Sequence, residues 1–306
     1  MSAILVDPKL SDEERRRALY SGDTVMFTPR KSVKALCDLA WELIEEAFHP
    51  IDPQRAQFEM PVEEFVDIIA PLKPRFTHHA RAKDLMRNLL EDLDCDPENT
   101  YFDVPKLRIV THGGYLTAGV GYAYKKHRDI WYACPPCQIN WWTPITEIEE
   151  RCGLVLHPAY FDQPVKNNSN QFDAYQWNAD GRKNAATFIH EDPRPHPHLQ
   201  EARDLDRQVI VGQPGSLILF SAQQLHATIP NDSGRTRFSI DFRTVNRDDI
   251  LEHAGARVID SSATGTTLRD FLRATDHQQF EPEVVATYET GEAPAGGVLV
   301  FDPNAQ

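Results

Sequence analysis

Residues 215–244 read GSLILFSAQQLHATIPNDSGRTRFSIDFRT. Gly215 ends a turn, and Leu217 to Phe220 is a continuous apolar run of strand length. His226 to Ile229 is a second short run, closed by Pro230-Asn231-Asp232-Ser233-Gly234, a strong turn signal. Then the chain alternates. Phe238, Ile240 and Phe242 fall on one face of a strand; Arg237, Ser239, Asp241 and Arg243 fall on the other. Short strands in quick succession, divided by turns, predict a mainly β protein with a sandwich or jelly-roll core.

The pattern continues outward. Short runs rich in β-branched and aromatic residues, bounded by turn formers, predict strands over 106–111, 119–124, 138–143, 153–157 and 208–212, with a first strand at 24–27. No βαβ rhythm is present, which excludes a Rossmann-type sheet. Apolar residues at helical spacing predict helices over 32–48, 62–71 and 79–93, the last two divided by Pro71 and Pro74. The expected organisation is one domain over 1–306. It comprises a helical flank (1–100), a jelly-roll core (101–246) interrupted by an insert (162–207), and a helix-containing tail (247–306) with a Gly/Pro-rich end. A long insert inside a compact domain is usually functional or disordered.

Composition narrows the function classes. The net charge of −14 and pI near 5.3 disfavour nucleic acid and anionic membranes as partners. There is no run of 18 apolar residues and no apolar core of signal-peptide length at the start. The 5 cysteines fit free thiols in a reducing cytoplasm better than a disulfide framework. A cytoplasmic monomer or homodimer acting on a small molecule is expected.

The chemistry centres on Lys126-His127-Arg128-Asp129 and, 99 residues after His127, on His226. Two imidazoles and one carboxylate on one face of a metal leave positions open for a co-substrate and O₂, as Fe(II) oxygenases require. In an extended segment, positions i and i+2 point the same way, so His127 and Asp129 can meet one metal from one strand end. His-x-Asp alone is weak, since a surface His beside a charged turn gives the same pattern. Arg237, on the polar face of the last strand, offers the planar fork that suits a dicarboxylate.

The segment Gly215 to Thr244 resembles the C-terminal half of the Fe(II)/2-oxoglutarate dioxygenase core, and is most similar to the phytanoyl-CoA dioxygenase-like branch. His226, Thr228, Asn231, Ser233 and Arg237 carry the register, Arg237 falling eleven positions after the His. Trp142 to Glu147 and Cys152 to Pro158 also match, whereas Ala159-Tyr160-Phe161 departs from the Gly-Ser-His turn common there. The resemblance spans roughly 105–245. It implies a double-stranded β-helix with flanking N-terminal helices, and a metal site of His127, Asp129 and His226. It further implies Arg237 on the far carboxylate of 2-oxoglutarate, with Thr228 assisting. Because halogenases of this superfamily replace the carboxylate ligand with a small residue, Asp129 favours hydroxylation, desaturation or ring closure.

Further residues are candidates by position. Gln138, Asn140 and Trp142 share one strand face; if that face is inside, Gln138 and Asn140 touch the co-substrate and Trp142 the substrate, while Trp141 packs outward. Arg243 serves either the substrate or a structural acid. Within the insert, Tyr175, Trp177, Asn178, Arg182 and Asn184 are lid candidates. Cys134-Pro-Pro-Cys137 reads as packing at a strand entrance, not half a zinc site. His112 and His157 read as core histidines, and His196 and His198 as solvated loop residues. The polar insert points to a small polar substrate, amino-acid-like or sugar-like, rather than a long acyl-CoA. Two other readings stay open: a cupin-type metalloenzyme that needs no 2-oxoglutarate, and a non-catalytic jelly-roll binding protein.

Overall fold

A computed structural model describes residues 2–122, 125–181, 184–201 and 206–291. Its strands are β1 (Ile4–Val6), β2 (Thr24–Phe27), β3 (Thr100–Phe102), β4 (Lys106–Val110), β5 (Ile139–Pro144), β6 (Leu154–Leu156), β7 (Gln208–Ile210), β8 (Leu217–Ser221), β9 (His226–Thr228), β10 (Arg237–Asn246) and β11 (Leu272–Arg273). Its helices are α1 (Asp12–Tyr20), α2 (Lys31–Phe48), α3 (Val62–Thr77), α4 (Ala80–Asp92) and the short α5 (Ala174–Gln176), α6 (Arg247–Leu251) and α7 (Pro282–Ala286).

Eight strands form one sheet in the order β1-β2-β8-β5-β10-β3-β11, with β4 also paired to β10. β10 is the spine. One edge pairs with β5 (Ile240 opposite Thr143); the other takes β4 along Arg237–Asp241 and then β3 along Thr244–Asn246. The second sheet is β7-β6-β9. Trp142, Ile218 and Phe220 of the first sheet form one buried cluster with Leu154, Leu156 and Ile210 of the second, so the sheets face each other.

The period-2 pattern of β10 sets both sides. Phe238, Ile240 and Phe242 are fully buried on the outer face, with Leu107, Ile109, Trp141, Leu217 and Leu219. Against them lie Leu36, Leu43 and Ile44 of α2, Phe65, Ile69 and Phe76 of α3, and Leu89 and Leu90 of α4. Truncating a phenylalanine in such a core costs about 3–5 kcal/mol. The opposite face of β10, with Arg237, Asp241 and Arg243, turns inward to a cavity. The apolar face thus holds the helices, and the polar face is left for chemistry.

Several expectations need correction. The protein is mixed rather than mainly β, because long α2–α4 cover the sheet and many strands are only three residues. Pro71 and Pro74 do not divide a helix: α3 runs through both. Both prolines are exposed, so their rings lie on the solvent side of the helix, away from the core. The strand expected at 119–124 is a short 3₁₀ turn, Gly119–Gly121, within the described residues; Tyr124 lies outside them. Gly119, at φ 57°, sits where a Cβ would meet the Ala185 carbonyl oxygen at 2.0 Å, so the close approach of the insert demands glycine. The N-terminal flank is not purely helical, since β1 and β2 extend the sheet beside β8. The lid candidate Arg182 and the chain end at 292–306 lie outside the described residues. Among the described residues, no helix is long and apolar enough to cross a membrane.

Candidate metal centre and anion pocket

His226 opens β9, and its backbone pairs in both directions with His127 at 2.9 Å. That isolated bridge brings together residues far apart in sequence. Asp129 does not continue a strand. It begins a 3₁₀ turn, Asp129–Tyr132, which swings its carboxylate back toward the two rings. Asp129 Oδ1 lies 3.2 Å from His127 Nε2 and 3.6 Å from His226 Nε2. All three residues are buried, and their ligating atoms lie within 4.8 Å of one another, close enough to hold one metal ion.

The donor set fits a metal on a specific observation. His127 Nδ1 lies 2.8 Å from the Lys125 carbonyl, and His226 Nδ1 lies 2.9 Å from that of Gln224. A carbonyl only accepts, so each Nδ1 carries the proton and each Nε2 presents its lone pair to the shared centre. Burial, then the neighbouring His127, pushes the His226 imidazole down to about 3. It therefore stays neutral and ligand-competent at physiological pH. Burial alone would raise the Asp129 carboxyl. Arg243 and the two histidines overcome this and hold it well below the usual carboxylate range. Its second oxygen, Oδ2, faces Arg243 Nε and Gln138 Nε2, each at 3.4 Å.

Arg128, between the two ligands in sequence, points the other way and is fully buried. Its guanidinium donates to the carbonyls of Gln223 (2.5 Å), Tyr160 (2.7 Å) and Gln163 (2.8 Å), and Nε faces Asp260 at 3.2 Å. This anchors the ligand-bearing turn to the insert and to the segment before β9.

A cavity lies beside the triad. His127, Asp129, His226, Thr228, Asn140, Trp142, Arg237 and Arg243 line it. Arg237 is 3% exposed. Nη1 donates to the Cys152 carbonyl (3.0 Å) and Nη2 to Ser239 Oγ (3.3 Å); the guanidinium lies over the Trp142 ring at 5.6 Å. Nε has no hydrogen-bond partner, and no carboxylate pairs with this arginine among the described residues. Burial pushes it down to about 10, which still leaves a cation at neutral pH. Asn140 Nδ2 is likewise buried without a partner, while its Oδ1 accepts from Gln138 Nε2 at 3.0 Å. Unfilled buried donors facing a cavity mark where a ligand's oxygens belong.

Gln138 faces the adjoining cavity, which shares Asp129, Arg108 and Arg243 with the first. Trp177 and Asn178 line that second cavity with Tyr132, Phe172 and Phe271. Tyr175 corrects an expectation: it lines neither cavity and packs against Gly265. Asn184 also lines neither. Trp141 points outward, stacked on Phe242 at 5.2 Å with Nε1 donating to Thr244.

Other candidates settle as packing or as neighbours of the site. All 5 cysteines are free and buried. Burial raises the thiols of Cys134 and Cys137, which removes the thiolate that metal or redox chemistry needs. His112 accepts from the Gly234 amide, and His157 Nδ1 meets the Asp206 carbonyl. His196 is not solvated: it is 7% exposed, stacked on Tyr122 at 3.9 Å, beside Asp192.

Two cations of the cavity, Arg108 and Lys73, escaped the sequence reading. Arg108 and Asp241 pair across β4 and β10 (Nη2 to Oδ2, 3.0 Å), and Lys73 reaches in from α3 to the Val120 carbonyl. The signal for Arg108 was available, since Lys106 and Arg108 alternate with Leu107 and Ile109 just as β10 alternates. Lys73 lies between the prolines and was hidden by reading them as a helix break.

No family model and no curated relative matches the chain. Among solved structures, it is similar to EvdO2 from Micromonospora carbonacea var. aurantiaca, with 15% identity over 83% of this chain and 96% of that one, at a TM-score of 0.44. It is also similar to the non-haem alpha-ketoglutarate-dependent epimerase SnoN of nogalamycin biosynthesis (14% identity, 76% and 82% covered, TM-score 0.38). The carbocyclase SnoK of nogalamycin biosynthesis, described in the same cofactor terms, shows 13% identity with 78% and 85% covered at 0.38. Likeness this distant assigns no function to this chain by itself.

Proposed function

We propose that this protein is an Fe(II)- and 2-oxoglutarate-dependent oxygenase of a small molecule. It would be a single domain of the phytanoyl-CoA dioxygenase-like branch, its two facing sheets forming a double-stranded β-helix. One observation carries the reading. A preset two-histidine, one-carboxylate triad shares a cavity with a buried guanidinium that has no carboxylate of its own.

His127, Asp129 and His226 would hold the iron. Bound there, Fe(II) supplies O₂ activation coupled to oxidative loss of CO₂ from 2-oxoglutarate, giving succinate. The rest falls to this chain. Arg237 receives the far carboxylate of the co-substrate through Nε and an Nη, with Thr228 offering a hydroxyl beside it. Asn140 Nδ2, buried and unpartnered, would donate to another oxygen of the ligand. Trp142, Leu154 and Phe220 wall the cavity against water. Arg243 and Gln138 hold the outer oxygen of Asp129, which keeps one oxygen aimed at the metal. With Asp129 in the ligand set, hydroxylation, desaturation or ring closure is favoured over halogenation.

The test is succinate formation from 2-oxoglutarate under air with Fe(II) and ascorbate. Wild-type protein turns it over, slowly without substrate, and Asp129→Ala does not. Equal succinate from Asp129→Ala refutes the metal assignment. Metal-dependent activity without 2-oxoglutarate would point to a cupin-type enzyme of another class, and failure to bind iron to a non-catalytic binding protein.

A further inference from the structure

The structure assigns Lys73 and Arg108 to a second anion subsite, which receives a carboxylate or phosphate group of the substrate; this rests on the oxygenase reading above.

Lys73, Arg108, Arg237 and Arg243 line the metal cavity together with Asp129 and Asp241. A divalent metal satisfies Asp129, and the co-substrate's far carboxylate satisfies Arg237. Arg108 is bonded to Asp241, and Arg243 lies 3.2 Å from Asp241 and 3.3 Å from Asp103. Lys73 is the cation left over. Its ammonium donates to the Val120 carbonyl, and no carboxylate pairs with it among the described residues. An ammonium carries three donors, so two N–H groups remain for a ligand.

Geometry supports the same place. Lys73 and Arg108 both line the metal cavity and an adjoining one bounded by Thr77, Asp103, Val104 and Lys106. Arg108 also lines the aromatic cavity of Tyr132, Phe172 and Trp177. The subsite therefore sits at a junction of three spaces, and the body of a substrate can extend from it along the aromatic walls. Phe172 packs edge-on to Tyr132 at 5.0 Å and lies 5.8 Å from Trp177, surfaces suited to a ring. Burial, then the nearby Arg108, pushes the Lys73 ammonium down to about 7, as expected of a cation awaiting a counter-ion. This revises the polar, sugar-like substrate suggested by the insert toward an acid with an apolar body.

The experiment compares 3-phenylpropionate with 3-phenylpropanamide, which match in size and differ in charge. Binding is measured by calorimetry to protein saturated anaerobically with Fe(II) and 2-oxoglutarate, so that Arg237 is already taken. Wild-type protein should prefer the acid by about tenfold or more. Lys73→Met should bring the ratio to about one, and Lys73→Arg should keep most of it. 3-Phenylpropyl phosphate, in a parallel arm, tells a phosphate-preferring subsite from a carboxylate-preferring one. Equal binding of acid, phosphate and amide, weak or strong, overturns the subsite, as does a preference that survives in Lys73→Met. Failure of the oxygenase reading shows separately, as no uptake of Fe(II) or 2-oxoglutarate in the loading step.

Discussion

Arg128 and Arg237 are both enclosed in the protein, yet their surroundings differ in one respect. Both Nη atoms of Arg128 donate to fixed carbonyls, and its guanidinium stands 3.2 Å from the Asp260 carboxylate. Arg237 has one carbonyl, one hydroxyl and a tryptophan face, with Nε unfilled. The first is a strut that ties the turn carrying His127 and Asp129 to the rest of the fold. The second is a receptor. Neither burial of the charge nor an unfilled Nε distinguishes them, since both share these; a carboxylate counter-ion does.

The largest expected effect falls on the strut. Arg128→Met takes the counter-ion from the enclosed Asp260 carboxylate and the donor from several carbonyls, and should cost about 3–5 kcal/mol of stability. Urea unfolding of metal-free protein measures it, and a loss under about 1 kcal/mol would erase the contrast. Arg237→Met, by comparison, removes a buried cation that lacks a counter-ion. It should leave the urea midpoint nearly unchanged and raise the apparent KM for 2-oxoglutarate by about 100-fold. If instead it unfolds the protein and leaves KM alone, the two roles are reversed.

A pH experiment sharpens the comparison between groups that stay charged and groups held neutral. Burial depresses His226 to about 3 and His196 to about 4, both below the ordinary 6.5. Below about pH 6.5 the unfolded chain takes up protons that the folded chain refuses. These histidines therefore contribute stability that is complete above that pH and is lost as pH falls toward 4. Thermal melts of metal-free protein at pH 7, 5.5 and 4.5 should show the decline, and an unchanged midpoint would contradict it. The smallest effect is expected at Thr228→Val, a few-fold rise in the apparent KM for 2-oxoglutarate, because a neutral hydroxyl contributes far less than the guanidinium.

The same contrast explains what could be read in the sequence. β10 announced itself, because Phe238, Ile240 and Phe242 alternate with polar partners and a one-residue slip would reverse every side chain. Its inward face placed Arg237 and Arg243 correctly, and the parity of β5 placed Asn140 and Trp142. The triad was legible because three ligand types fell in a recognisable register. The course of α3 was not, because proline usually breaks a helix and only solvent exposure excuses it here. That misreading hid Lys73. The 3₁₀ turn at Asp129 and the joining of β1 to the sheet depend on long-range pairing, which local periodicity does not encode. His196 looked like a loop residue because its enclosure by Tyr122 and Asp192 is set by how the insert folds back.

The central claim is that the triad and Arg237 act on one ligand. Anaerobic titration of the Fe(II)-loaded protein with 2-oxoglutarate tests it most directly. Chelation of the iron by the 2-oxo acid gives a visible charge-transfer band. Wild-type protein should develop that band at saturation. Arg237→Met should develop the same band only at about 100-fold higher concentration, and Asp129→Ala should lose it. A band of equal affinity in wild type and Arg237→Met, or none in wild type, would contradict the account.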